Sequence, residues 1–189
     1  MVLFDSERRA AIVTIEIKEK GSRQFYKEFV NVLTQYRQLL YRPQDKLKDN
    51  FSRYLFLTAA MVILFLMNLY GGITGSFNAT KILVIVFSAA AAAATVVIYF
   101  RMIKMVDGYL ADDRPSVVTL DENGVEIEKV GSEAIRLAWD NVAFVRSFIE
   151  STCFFSKDLS GIVLAVNNDY RKQIMEYIKS NNIDVQVVK

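Results

Sequence analysis

The sequence has no histidine, one cysteine and two prolines among its 189 residues. Without histidine, it has no imidazole general base, no Ser–His or Cys–His pair and no histidine metal ligand. The single cysteine, Cys153, excludes an intrachain disulfide and a CxxC site. So little proline, with only eight glycines, argues against disorder. We therefore expect no cofactor, no metal ion and no enzymatic activity.

Charged residues are absent from two long stretches, although they make up 23% of the chain. None lies between Arg53 and Lys81, or between Lys81 and Arg101. At about 1.5 Å per residue, helices over residues 54–70 and 82–100 would nearly cross a hydrocarbon core of about 30 Å. The alternative is a pair of buried core helices, but so small a domain could hardly bury two helices that are apolar on all sides. We predict a transmembrane hairpin over residues 54–100, with an outer turn at 71–81.

The flanks of the two apolar segments predict the orientation of the hairpin. The predicted outer turn carries one charge, Lys81. The residues expected at the membrane interface are Arg37, Arg42, Lys46, Lys48, Arg53, Arg101 and Lys104, with Tyr54, Tyr70 and Tyr99 at the segment ends. The positive-inside rule then places both termini of this multi-pass protein in the cytoplasm. Residues 37–53 could also recognise an anionic lipid, although orientation alone explains their charge.

Small residues in the second apolar segment predict close helix packing. Residues 89–94 are six consecutive alanines between Ser88 and Thr95. We expect the second helix to pack on the first through Ala59, Ala60, Ser88 and Ala92, because small residues let helix backbones approach closely. The alternative is a homodimer seam. No ionisable side chain lies in the middle of either segment, which argues against a proton relay or an ion pathway.

The remaining segments predict an α+β cytoplasmic part. Residues 1–53 contain an alternating strand at 11–18 and an amphipathic helix that starts at Arg23 and stops near Pro43. A linker helix is expected at 101–115. Residues 116–189 contain successive short strand patterns and then one amphipathic helix, followed by a last short strand. This order indicates a small antiparallel sheet or barrel with a C-terminal helix packed on it.

Two short motifs lie in this last domain. VVTLDENGVEIE contains an Asn123-Gly124 turn, and IRLAWDNV contains Trp139 followed by Asp140. We expect Trp139 to anchor the core and Asp140 to cap the following turn. Together with two preceding membrane helices, these motifs resemble the YcxB-like family of bacterial membrane proteins. The resemblance implies a cytoplasmic domain of pleckstrin-homology-like fold at residues 116–189, and it implies no activity. One departure is that residues 164–169 enter the helix directly, where the family often has Pro-Lys-Arg.

Other reactive side chains have simpler explanations than catalysis. Cys153 precedes two phenylalanines and is typical of a small buried hydrophobic residue. Asp107, Asp112 and Asp113 lack the spacing of a hard-cation site, so we expect them to be solvated charges.

Charge is divided unevenly along the chain, and the division indicates the class of partner. Residues 1–53 carry 11 basic and 7 acidic side chains, whereas residues 101–189 carry 11 basic and 14 acidic ones. The mildly acidic C-terminal domain argues against nucleic acid and phosphoinositides and favours a protein partner. We therefore predict a non-enzymatic, membrane-tethered interaction or regulatory module. The alternative is a small membrane immunity or resistance protein that neutralises a toxin.

Overall fold

The structure is a computed structural model, and it describes residues 15–19, 21–112, 114–129, 131–158 and 161–188. The chain forms two compact units. One combines residues 1–46 with residues 112–189, and the other comprises residues 47–111. Two of the four segments predicted from the sequence, the one before the apolar helices and the one after them, thus fold together.

The N-terminal segment contributes one strand and two short helices. These are β1 (Ile15–Glu19), α1 (Arg23–Thr34) and α2 (Tyr36–Tyr41). The predicted strand began at residue 11, and residues 11–14 lie outside the described part of the chain. The predicted stop before Pro43 is confirmed, because α2 ends at Tyr41.

A polar cap and an apolar stripe shape α1 and α2. The Ser22 hydroxyl accepts a hydrogen bond from the Phe25 amide at 3.0 Å, so Ser22 is the N-cap of α1. Gln35 interrupts the predicted single helix, and its amide bonds to the carbonyls of Asn31 and Val32. The stripe nevertheless stays on one side across the break. Its buried members are Phe25, Val32, Tyr36 and Leu39.

Two long apolar helices form the second unit. They are α3 (Asn50–Ile73) and α4 (Ala79–Ala111), and they pack against each other. Both extend beyond the predicted apolar segments. The linker helix predicted at 101–115 is the C-terminal part of α4, which runs unbroken to Ala111. At the start of α3, the Asp49 carboxylate accepts from the Phe51 amide at 3.1 Å.

The first sheet joins segments from before and after the two long helices. It contains β1, β2 (Ser116–Asp121), β3 (Gly124–Lys129) and β4 (Ile135–Ala138), in that order and antiparallel throughout. The predicted hairpin around Asn123-Gly124 is confirmed as β2–β3. All five residues of β1 pair with β2, from Ile15 opposite Leu120 to Glu19 opposite Ser116. β1 precedes the two long helices in sequence, and it is therefore part of a sheet whose other strands follow those helices.

The second sheet contains one parallel pair that the sequence did not predict. Its strands are β5 (Val142–Ser147), β6 (Ser151–Ser156), β7 (Val163–Asn167) and β8 (Gln186–Val188), in the order β7-β6-β5-β8. β8 runs parallel to β5 because α5 (Arg171–Ser180) lies between β7 and β8 and returns the chain across the sheet. β5 ends at Ser147, since the Phe148 amide bonds to the Ser151 carbonyl at 2.7 Å and closes the turn.

The main core lies between the strands and α5. The helix was predicted to be amphipathic, and its buried residues are Ile174, Tyr177 and Ile178. Its core partners include Val118, Leu120, Val125, Leu137, Trp139, Val145, Phe154, Leu164 and Val166. α5 ends at Ser180, and Asn181 is its C-cap. Asn182 has a positive φ of 50°, a conformation that asparagine tolerates better than most residues.

Candidate functional site

The helices α3 and α4 expose most of their apolar side chains. In the most apolar 18-residue window of each helix, only 6% of the residues are buried within the structure. The exposed side chains include Phe56, Leu66, Met67, Phe87 and Phe100. A continuous apolar surface of this extent is unfavourable in water. Both helices are long and apolar enough to cross a membrane.

The sides of α3 and α4 that face each other carry small and polar residues. The Thr58 hydroxyl donates a hydrogen bond to the Thr95 hydroxyl at 2.8 Å, and Ser88 is buried. Ala60 and Ala92 are partly buried, whereas Ala59 is exposed. Ala59 therefore lies away from the side it was expected to join, because adjacent residues differ by about 100° around a helix.

The alanine run of α4 is divided between two sides of the helix. Residues 91 and 92 are partly buried, and residues 89, 90, 93 and 94 are exposed. Packing within the hairpin thus uses only part of the run. The homodimer seam stays a prediction.

Close contacts hold the short connection between α3 and α4. The Phe77 ring occupies the space where a Cβ at Gly72 would lie, so any larger residue there would displace the ring. The Lys81 ammonium donates to the Gly71 carbonyl at 3.0 Å and to the Ser76 carbonyl at 3.1 Å. The Asn78 side chain accepts from the Lys81 amide at 2.8 Å and caps α4. The Lys81 ammonium is therefore hydrogen-bonded to backbone carbonyls of the turn.

The basic residues predicted at the membrane interface are exposed. They are Arg37, Arg42, Lys46, Lys48, Arg53, Arg101 and Lys104. Of the three tyrosines, Tyr70 is exposed, whereas Tyr54 and Tyr99 are partly buried. Tyr99 contacts the Phe51 ring edge-on at a centroid distance of 6.4 Å.

A carboxylate on α1 holds the turn between β5 and β6. The two carboxylate oxygens of Glu28 accept hydrogen bonds from the amides of Ile149 and Glu150, both at 3.0 Å. One of them also accepts from the Ser151 hydroxyl at 2.7 Å. One side chain of α1 thus accepts hydrogen bonds from three donors that lie more than 120 residues away in sequence.

Tyr36 and Arg146 make two further long-range connections. The Tyr36 hydroxyl lies within hydrogen-bond distance of the Ser156 and Asp158 carbonyls, at 3.0 and 2.7 Å. The buried Arg146 guanidinium donates to the Pro43 carbonyl and to the Asp45 carbonyl. Burial raises the pKa of the Tyr36 hydroxyl, and nearby Asp158 adds to that rise.

Sequence reasoning missed the roles of Glu28 and Arg146. Arg146 carries a weak signal, because it is the only charged residue in the apolar strand VAFVRS. Glu28 carries none, since it lies on the polar side of α1 and its three partners are distant in sequence.

The DENG turn is organised by the carboxylate of Asp121. This carboxylate accepts from the amides of Asn123 and Gly124, at 2.8 and 2.9 Å, and forms an ion pair with Arg136. Burial alone would raise the pKa of Asp121, but the hydrogen bonds from Arg136 and the two amides outweigh it and leave the pKa below its usual value. The indole N–H of Trp139 donates to the Asp121 carbonyl at 2.8 Å.

The other motif residues have separate roles. Trp139 is buried beside Phe154 and Tyr177, as expected of a core anchor. Gly124 admits the Leu137 carbonyl so closely that a Cβ would overlap it. Asp140 lies inside a short 3-10 turn and is exposed, and the cap of that turn is Ala138. The carboxylate of Asp140 therefore does not cap this turn.

The candidate reactive groups are buried or paired. Burial raises the pKa of the Cys153 thiol to about 12, so the thiolate is not the populated form at neutral pH. Asp112 pairs with Arg114 at 2.8 Å and with Lys129 at 3.3 Å. The hydrogen bond from Arg114 is the largest cause that holds the pKa of Asp112 far below its usual range. Asp113 lies outside the described residues.

No cluster of acidic residues and cysteine suited to a metal ion occurs in the part of the chain that the structure describes. Comparison with known protein families, curated proteins and solved structures finds no match to this chain.

Proposed function

We propose that α3 and α4 cross a bacterial cytoplasmic membrane and tether the mixed unit, residues 1–46 with 112–189, on its cytoplasmic side. In this proposal the tethered unit is a non-enzymatic interaction or regulatory module with a pleckstrin-homology-like arrangement of sheets and helix. The exposed apolar surfaces of both helices support the membrane location.

The observation that carries the proposal is the β1–β2 pair. β1 lies before the α3–α4 hairpin in sequence and β2 lies after it, and the two strands pair over all five residues of β1. A folded sheet cannot pass through the hydrocarbon core, so a hairpin whose two ends lead into one sheet must have both ends on one side. The exposed basic flanks then favour the cytoplasmic side.

Confinement at a membrane supplies a mechanism that needs no chemistry. A tethered module meets a membrane-associated partner at a high effective concentration, so weak contacts suffice. The raised pKa of Cys153 and the ion pairs of Asp112 support a non-enzymatic role, because neither group is poised to react. The acidic balance of residues 101–189 supports a protein partner over nucleic acid.

Cysteine labelling in intact cells tests the orientation. Cys153→Ala removes the only native thiol. In that background, Ser76→Cys places a thiol in the connection between α3 and α4, and Ser132→Cys places one at an exposed position of the mixed unit. A membrane-impermeant maleimide should label position 76 in intact cells and position 132 only after lysis. Labelling of position 132 in intact cells would overturn the proposed orientation.

A further inference from the structure

The strand β4 lies at an open edge of the first sheet. It pairs with β3 on one side and has no strand on its other side among the residues described. The Trp139 amide bonds to the carbonyl of Asn123 opposite it. Because bonded and non-bonded pairs alternate in an antiparallel ladder, Leu137 also bonds inward to β3. The N–H and C=O groups of Arg136 and Ala138 therefore point toward the open side.

This short edge has little protection against pairing, because its one charged residue, Arg136, is already paired within the sheet. Residues 131–136 are all exposed, and the Ile135 side chain is 52% exposed. β4 contains no proline or lysine, the residues that commonly block an edge. An added strand would thus find free backbone groups and an apolar side chain beside them.

The charges around β4 are acidic. Glu133 precedes the strand and Asp140 follows it, and both are exposed without an ion-pair partner in the described residues. The one cation of the strand, Arg136, already pairs with the carboxylates of Asp121 and Glu126. A strand bound here would meet one exposed carboxylate near each end.

We propose that the β4 edge binds an extended, basic segment of a partner protein as an added strand. Backbone groups of Arg136 and Ala138 hold its main chain, an apolar side chain covers Ile135, and basic side chains at its ends meet Glu133 and Asp140. This inference rests on the proposed function and identifies the partner surface of the interaction module. A second copy of this chain fits poorly, because antiparallel β4–β4 pairing would bring Glu133 of one copy toward Asp140 of the other.

Peptide binding to the full chain in phosphatidylcholine nanodiscs tests the proposal. The probe is a fluorescent peptide of alternating valine and threonine with two lysines at each end. A matched peptide carries glutamates in place of the lysines. Fluorescence anisotropy should show binding of the basic peptide with a Kd below about 1 mM and much weaker binding of the acidic one. Equal binding of both peptides, or none of the basic peptide at that concentration, overturns the proposal.

Substitutions at Ala138 separate edge pairing from general attraction. Its φ of −63° already suits proline, and its N–H points to the open side, so Ala138→Pro should fold. The variant removes one donor and should weaken binding of the basic peptide about tenfold, whereas the matched Ala138→Val should bind as the wild type does. Unchanged binding by a folded Ala138→Pro variant, judged from Trp139 fluorescence, overturns the proposal.

Charge reversal provides the second measurement, and it decides the matter if Ala138→Pro misfolds. Glu133→Lys and Asp140→Lys should each weaken binding of the basic peptide about three- to tenfold at low salt, with a smaller effect at high salt. Unchanged binding in both variants overturns the acidic-edge assignment. If the wild type forms a dimer that Ala138→Pro abolishes, a second copy of this chain occupies the edge, and this result also overturns the proposal. The cysteine labelling tests tethering separately, so loss of peptide binding leaves that result intact.

Discussion

The two units of this protein place their large apolar side chains in opposite positions. In the hairpin, Phe87 is 73% exposed, while the buried side holds Ser88 and the Thr58–Thr95 hydrogen bond. In the mixed unit, Phe154 and Phe155 are fully buried between the strands and their covering helices. The same residue type thus lies outside in one unit and inside in the other. The difference supports the proposed membrane location of the hairpin, because lipid solvates apolar side chains and water does not.

The largest effect should come from a core truncation in the mixed unit. Phe154→Ala should lower its free energy of unfolding by about 3–5 kcal/mol, because the cavity left behind adds to the lost burial. Trp139, the only tryptophan, has its ring 6.2 Å from that of Phe154 and reports unfolding in urea by fluorescence. The matched Phe87→Ala in α4 should change this transition by less than about 0.5 kcal/mol. Equal effects would break the contrast between the units.

A charge in the middle of α4 should have the next largest effect. Ala90 is exposed within an apolar stretch, so Ala90→Arg should oppose insertion by about 2.5–3.5 kcal/mol. The retained fraction of the chain in membranes after an alkaline wash measures this. Ile149→Arg, at an 84% exposed position of the mixed unit, is the control and should leave retention unchanged. Full retention of the Ala90 variant would argue that α4 does not face lipid.

Loss of the Glu28 carboxylate should destabilise the mixed unit less than Phe154→Ala does. Glu28→Ala leaves the Ile149 and Glu150 amides and the Ser151 hydroxyl without their acceptor, and should cost about 1–3 kcal/mol. Urea unfolding followed by Trp139 fluorescence measures the change. Glu176→Ala removes an exposed carboxylate of α5 and should be nearly neutral. An equal loss in both variants would contradict the role given to Glu28.

The smallest expected effect is a pH dependence confined to the mixed unit. The pKa of Asp121 is lowered in the folded state, so its contribution to stability is present above the ordinary carboxyl pKa. That contribution is lost as pH falls through the lower folded value. Arg136→Gln should raise the pKa of Asp121, so the acid-induced loss begins at higher pH, with a change below about 1 kcal/mol. Thermal unfolding between about pH 2.5 and 7 tests this, with Lys172→Gln as control; identical profiles for Arg136→Gln and the wild type would contradict it.

Local patterns predicted much of the fold. The absence of charge between Arg53 and Arg101, apart from Lys81, located both long helices. Alternation of apolar residues located the strands of both sheets, and Asn123-Gly124 located the β2–β3 turn. The predicted core roles of Trp139 and the α5 stripe are also seen. These features depend on residues a few positions apart, so a sequence window contains their cause.

Distant pairings were harder to predict. The sequence indicated a strand before the hairpin but not that β2 would be its partner. It also gave no reason for β8 to run parallel to β5, or for Glu28 to accept hydrogen bonds at the β5–β6 turn. The exposed position of Ala59 depends on how α3 rotates against α4. Each of these features depends on which elements pair or pack together in the tertiary structure.

Composition and short-range pattern determined, by themselves, that this protein has two long apolar helices, an Asn-Gly hairpin and a chain of short strands. Only the tertiary structure decided that the strands on either side of the two long helices enter one sheet and that, among the described residues, β4 is left as an open edge. The physical reason is the separation in sequence over which each interaction acts. Helix periodicity, capping and turn formation act over a few residues, whereas strand pairing and burial join residues more than 100 positions apart, as at Ile15 and Leu120.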